Sequence, residues 1–266
     1  MELEKLVNSN IIINIPHSST HIPKAFIDRV TLSKEELKQE VNLLTDLYTD
    51  DLFANMDCNI IKADVSRIVC DMERFKEDSK EQMSNLGMGV IYDRTSTGKR
   101  LINVDSKYRN MMLSSYYDPY HSRLESLTNS IVNRYGRCVI IDGHSYSVEL
   151  LKRLEMPFEN SPDVCIGFED EFCDVDILGL LKEHFEKSGL SVAFNYPYVG
   201  SIVPNQHYEE KDSRVKSLMI EINKSVYLDN NNQKSKNYSK IKTIIQKAIR
   251  KVLTYEKNIR LDEIER

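Results

Sequence analysis

Two histidines stand where chemistry is easiest to place. His17 follows the apolar run of IIINIPHSST, and His144 follows that of CVIIDGHS, with Asp142 two residues before it. In open α/β sheets ligands collect beyond the C-terminal ends of strands, so residues that end apolar runs come first. A further one, Glu221, lies inside LMIEIN. A carboxylate in an apolar run is costly to bury alone, so it needs a partner or a role unless its strand faces water. Two imidazoles and a carboxylate are the material of metal-assisted hydrolysis. Catalytic zinc commonly takes three protein ligands and keeps one position for water, while a separate carboxylate acts as base. A third ligand is sought in LLTDLYTDDLF. There Asp46 and Asp50 are four apart, so a helix would carry both on one face, with Leu43 beside them. The HxxE spacing of many zinc hydrolases is missing, since Thr20 stands three after His17, and a remote aspartate must substitute. Plainer readings exist for each: a strand-end histidine is often just a satisfied polar residue, and paired aspartates on a charged helix usually face solvent.

Arginines form a second group. SRIVCDMERF sets Arg67 and Arg74 on either side of a short apolar run, and VIYDRTSTGKR adds Arg94 and Arg100. A guanidinium fork suits a bidentate grip on a substrate carboxylate. Arg67, Arg74 and Arg94 are the candidates, with Asp71 and Glu73 available as structural ion-pair partners instead. His121 is either a pocket residue or a helix cap, whereas His184 and His207 sit in charged, solvent-like contexts. NYPYVGSIVPNQHY, aromatic and rich in Pro and Gly, reads as a loop that walls a pocket. No GxGxxG, P-loop or GxSxG is present, so nucleotide cofactors and a serine-hydrolase elbow have no support.

Elements must hold these groups in place. Apolar β-branched runs occur at 10–15, 59–63, 68–70, 89–92, 138–141, 163–166, 190–193 and 217–222. Runs as continuous as CVIID and LMIEI predict strands covered on both faces. Between them, SKEELKQEVNLLTDLYTDDLFANM predicts a helix opened by a capping box of Ser33 and Glu36. A long helical stretch from Asp105 to about Arg134 is interrupted near Pro119, DVDILGLLKEHFEKSG ends on Gly189, and NYSKIKTIIQKAIRKVLTYEKNI forms a C-terminal helix. Strands alternating with such helices predict an α/β fold with a mixed, mostly parallel sheet flanked by helices. The polar stretch Asp229–Asn237 reads as a surface loop too near the C-terminus to divide the chain, so residues 1–266 are expected to form one domain.

Bulk properties narrow the function classes. With 266 residues and 41% hydrophobic content the chain can bury a substantial core. A net charge of −5 disfavours nucleic acid as a partner. No apolar run approaches the ~18 residues a membrane span requires. MELEKLVNSN lacks the basic-then-apolar pattern of a signal peptide. Five scattered cysteines without CxxC favour reduced thiols, and a cytoplasmic location is expected.

IPHSSTHIP, TDLYTDDLF, SRIVCDMERF, GMGVIYDRTSTGKRL, DPYHSRL, IDGHS, PDVCIG, YPYVGSIVP and LMIEINKSVYL follow one another in an order that resembles the N-formylglutamate amidohydrolase family, over about residues 10–228. The resemblance implies a zinc-carboxypeptidase-like α/β fold and hydrolysis of a linear amide on an acylated amino acid. In the family N-formylglutamate is cut to glutamate and formate, a step in histidine breakdown. It implies one Zn²⁺ per chain held by His17, His144 and Asp46, with Asp50 an alternative ligand or the partner that orients a histidine. Glu221 would be the general base toward a metal-activated water, and Arg67, with Arg74 or Arg94, would bind the carboxylates of a small acyl-amino-acid substrate. PHSS stands where PHSG is frequent in the family, DGHS where DCHS is, and DMERF where DxNR is. The first two swap small residues; the third lies beside the arginines and bears on which substrate is bound. A peptidase-like hydrolase with another N-acyl or peptide substrate, or a non-catalytic small-molecule-binding protein of the same fold, are the competing expectations.

Overall fold

The computed structural model describes residues 9–54 and 56–264. The leader segment considered above therefore lies largely outside the described residues. In chain order the strands are β1 (Ile11–Ile15), β2 (Asn59–Lys62), β3 (Cys138–Tyr146), β4 (Val164–Gly167), β5 (Val192–Phe194) and β6 (Val215–Asn223). The helices are α1 (Lys24–Ile27), α2 (Lys34–Leu44), α3 (Thr49–Leu52), α4 (Ser106–Met112), α5 (Asp118–Tyr135), α6 (Val148–Arg153), α7 (Val175–Lys187), α8 (Asn205–Glu209) and α9 (Tyr238–Ile264).

The strands form one sheet in the order β2-β1-β3-β6-β4-β5. Strands β2, β1, β3 and β6 run parallel, β4 is antiparallel to β6, and β5 is parallel to β4. The sheet is thus mixed and mostly parallel, with helices on both faces. Every residue of β1 and β3 is buried, which is why their sequences are runs rather than alternations. Alternate side chains still serve different cores. Ile12, Cys138, Ile140 and Val215 face one core with Leu44, Tyr108, Leu124 and Ile131. Ile11, Ile13, Val139, Ile141 and Ile220 face the other with Leu181, Ile245 and Ile249.

Local signals act as their chemistry predicts. Ser33 and Glu36 close the capping box of α2. A π-helical turn, Leu113–Tyr117, precedes Pro119 at the start of α5, because proline has no N–H to continue the α-helical ladder. Gly189 follows α7 at φ +84°, a conformation open to glycine.

Three expectations are corrected. The helix predicted from Ser33 to Met56 is two helices: Thr45 is extended and Tyr48 is left-handed at φ 66°. Asp46 therefore sits in a tight break, and it shares no helical face with Asp50. The runs 68–70 and 89–92 are not strands of the sheet. They fold as turns, with Val69 donating to the Ser66 carbonyl at 2.9 Å and Asp71 to that of Val90 at 2.8 Å, and they pack their apolar side chains into the first core. His207 is buried against Asp212 at 2.9 Å, and His184 is half-buried against the Ile244 carbonyl at 2.9 Å, so neither stands in open solvent.

Candidate metal centre and active site

The polar site is a continuation of one apolar sheet face. On β3 the even positions run Cys138, Ile140, Asp142, His144, so the face turns polar toward the C-terminal end of the strand. Register sets Asn14 of β1 beside Asp142, Met219 of β6 beside Asp142, and Glu221 beside His144. His17 comes from the loop just past β1. This is the crevice at the C-terminal ends of parallel strands where open α/β sheets bind ligands. A cavity of about 480 Å³ opens there, within the usual range for small-molecule sites, and His17, Asp46, His144 and Glu221 line it.

Asp46 is brought in by long-range bonds. Its N–H donates to the His17 carbonyl at 2.9 Å, and its own carbonyl accepts from Thr49 Oγ1 at 2.8 Å. From the segment after β6, the buried Lys224 ammonium donates to the carbonyls of Thr45 (2.7 Å) and Leu43 (3.1 Å), and Tyr227 Oη donates to that of Leu47 (2.9 Å). These donors satisfy carbonyls that the end of α2 and the break after it leave without helical partners.

His17 Nδ1, His144 Nδ1 and Asp46 Oδ2 converge. Their separations are 3.3 Å between the two nitrogens, 3.1 Å from His144 to Asp46 and 3.8 Å from His17 to Asp46. A tetrahedral ion with bonds of ~2.0–2.1 Å sets its ligand atoms ~3.3–3.4 Å apart, so this triangle has the size of a metal site. All three residues are buried, and they form a group that can hold a metal ion.

The surrounding charges set the protonation of these groups. His17 Nε2 lies 2.7 Å from Asp71 Oδ1. The proton is assigned to Nε2, which leaves the Nδ1 lone pair facing the cluster. Asp71 is fully buried and also accepts from Arg67 Nε (3.0 Å), Arg67 Nη2 (2.9 Å) and Tyr92 Oη (2.8 Å). Despite its burial, Arg67, His17 and Arg74 hold its carboxyl well below the usual carboxylate range. Burial, with the Arg67 charge, lowers His17 to about 4, so it is the neutral imidazole a metal needs. His144 Nε2 is flanked by Asp142 Oδ1 at 3.0 Å and Glu73 Oε2 at 3.1 Å. Neither oxygen lies on the N–H axis, so these are close ion pairs rather than good hydrogen bonds. Burial opposes charge on His144, but Asp142 and Glu73 outweigh it and hold the ring well above its ordinary pKa.

Glu221 is buried with Oε2 unpartnered among the described residues. Burial pushes it up to about 8; His144 and Arg67 oppose the rise, and Asp46 and Asp142 add to it. Burial likewise raises Glu73 to about 8, helped by Asp142. Asn14 Nδ2 bridges this pair, 2.8 Å from Asp142 Oδ1 and 3.4 Å from Glu73 Oε1.

The predicted residues divide clearly. His17, Asp46, His144, Glu221, Arg67 and Arg74 all line the cavity. Asp50 is not brought to it: its half-exposed carboxylate pairs with Lys62 at 3.2 Å, because the break at Thr45 turns α3 away. Arg94 is exposed and donates to the Gly98 carbonyl at 2.9 Å within its own turn. His121 lines the cavity with Nε2 2.8 Å from the Met72 carbonyl. The Tyr198–Val203 stretch also lines it, as the composition of that loop predicts. Asp71, Glu73 and Asp142 carry more of the site than their sequence context conveys, and Lys224 gives no local signal at all.

Fold and site define an α/β protein with a histidine–aspartate cluster and a buried glutamate at the C-terminal edge of a mostly parallel sheet. The chain belongs to the N-formylglutamate amidohydrolase family, whose model matches residues 9–228. It is similar in structure to N-formylglutamate amidohydrolase from Ralstonia eutropha, with a TM-score of 0.83 at 18% identity over 96% of each chain. It is also similar to a gene product of Agrobacterium tumefaciens, with a TM-score of 0.61 at 17% identity over 92% of each chain. No curated protein matches it. Family membership supports hydrolytic activity on an amide. Among the described residues no helix is long and apolar enough to cross a membrane.

Proposed function

We propose that the chain is a metal-dependent hydrolase that cleaves the amide bond of N-formyl-L-glutamate or a similar N-acyl amino acid. The observation that carries this reading is the triangle of His17 Nδ1, His144 Nδ1 and Asp46 Oδ2, sized for one zinc ion and lying on the sheet face that also holds Glu221. Held by these three residues, zinc supplies Lewis acidity that polarises a carbonyl and makes water acidic near neutral pH.

The chain's own residues do the rest. Asp71 fixes the tautomer of His17, and Asp142 and Glu73 flank the far nitrogen of His144. Glu221 accepts a proton from the attacking water and returns it to the departing nitrogen. With a cation held in the cluster, the pKa of Glu221 would drop below its raised value, and the residue could serve as that base. Arg74 holds the substrate carboxylate and orients the amide, with Arg67 anchored on Asp71 beside it. Five cysteines without disulfides among the described residues suit a reducing compartment such as the cytoplasm.

Purified protein supplied with zinc should hold one ion per chain, and His144→Ala should lose it. Stoichiometric zinc in folded His144→Ala sinks the ligand set. Glu221→Gln should keep its metal and lose ~10²–10⁴-fold in kcat. Full activity in that variant removes Glu221 from the mechanism.

A further inference from the structure

The cavity's charge count and lining restrict the substrate more tightly than the family does. Among the described residues only two guanidinium or ammonium groups line it, those of Arg67 and Arg74. Arg67 gives both Nε and Nη2 to Asp71, so its charge is matched inside the protein. Arg74 is different. Its Nε is buried, lies 3.7 Å from Asp71 and has no hydrogen-bond partner among the described residues. Its side chain nevertheless stays 23% exposed, lines the cavity and makes no guanidinium hydrogen bond among the described residues, which leaves one guanidinium for one carboxylate. Arg94, the other cation expected to serve a dicarboxylate, faces away in its own turn.

The rest of the wall is poorly suited to a second negative charge. Glu169 lines the cavity and adds an acidic group to it. Met83, Met88, Leu154 and Met156 add apolar side chains to the lining, and methionine adapts readily to varied apolar shapes. At the mouth, Phe75 and Val199 leave 60% and 71% of their surface exposed, apolar area with no covering in the fold. A carboxylate set against such a surface loses water and gains no partner.

We propose that the preferred substrate is an N-acyl amino acid with one carboxylate and an apolar side chain, of the size of methionine or leucine, rather than the dicarboxylate N-formylglutamate. This rests on the amidohydrolase reading of the same site. The α-carboxylate pairs with Arg74, and the apolar side chain lies on the methionine wall.

The test is kcat/KM of the zinc-loaded protein for N-formyl-L-methionine, N-formyl-L-leucine and N-formyl-L-glutamate. The apolar substrates are expected to lead by ~100-fold or more, since an unpaired charge costs more than the 10–200-fold of a misplaced methylene. Equal or better turnover of N-formyl-L-glutamate overturns the proposal while leaving the amidohydrolase reading intact. Hydrolysis of none of the three overturns both. Met156→Lys, which places an ammonium on the half-buried wall, should raise kcat/KM for the glutamate substrate and lower it for the methionine one. No change in the ratio of the two refutes the placement of the side chain.

Discussion

Asp71→Asn is the most informative single change, because four side-chain donor contacts converge on one buried carboxylate. His17 meets Oδ1 at 2.7 Å, while Arg67, through two nitrogens, and Tyr92 meet Oδ2 at 2.8–3.0 Å. An amide of the same shape has one oxygen and one NH₂, so it cannot accept on both sides. If the NH₂ faces Arg67, the buried guanidinium loses its counter-charge, which costs about 3–5 kcal/mol. If it faces His17, it donates to Nε2 and drives the proton to Nδ1, the atom that should bind metal. Loss of such an orienting partner typically costs 10–100-fold in metal affinity. A chain of this size loses roughly 2–4 °C in Tm per kcal/mol, so the first outcome lowers Tm by about 6–20 °C. Thermal unfolding followed by circular dichroism reads the first effect, and zinc competition against a chelator reads the second. A variant with wild-type Tm and wild-type zinc affinity would refute the role given to Asp71.

Lys224→Met removes one buried ammonium with its two hydrogen bonds beside the Asp46 break; each orphaned carbonyl costs about 1–3 kcal/mol, and both Tm and zinc affinity should fall. Unchanged zinc binding would show that Asp46 is positioned without it. Gly143 lies on β3 where an added Cβ would come 3.1 Å from the Phe53 ring just after α3, so Gly143→Val should cost about 1–3 kcal/mol in a denaturant titration. Asp51 accepts from Lys242, Tyr238 and Lys234, which together hold its folded pKa below the ordinary carboxylate value. Its contribution is therefore complete above the unfolded-state pKa of about 3.9 and is lost as pH falls below it. Asp51→Asn should lower stability at neutral pH and flatten the acid limb of the stability–pH curve; an unaltered limb would count against the assignment.

The strands β1, β3 and β6 were legible because their signal is local: continuous apolar residues with a change of chemistry at the end. That change marked His17, Asp142 and His144, and the cost of a lone buried carboxylate marked Glu221. The capping box of Ser33 and Glu36, and the interruption at Pro119, are equally local. The turns at 68–70 and 89–92 misled because a short apolar run reports burial and not strand pairing.

The sequence by itself thus determined the α/β class and most residues of the site, since both follow from short-range pattern and from the cost of burying polar groups. Tertiary structure alone placed Asp46 in the cavity and Asp50 outside it. The periodicity of the segment favours one unbroken helix; in the fold Lys224 and Tyr227, some 180 residues away, bind the carbonyls freed at its break. The arginines were sorted the same way, because a guanidinium is directed by whichever carboxylate the fold sets beside it. Arg67 meets Asp71, Arg94 turns back on its own loop, and Arg74 lines the cavity with no guanidinium hydrogen bond among the described residues.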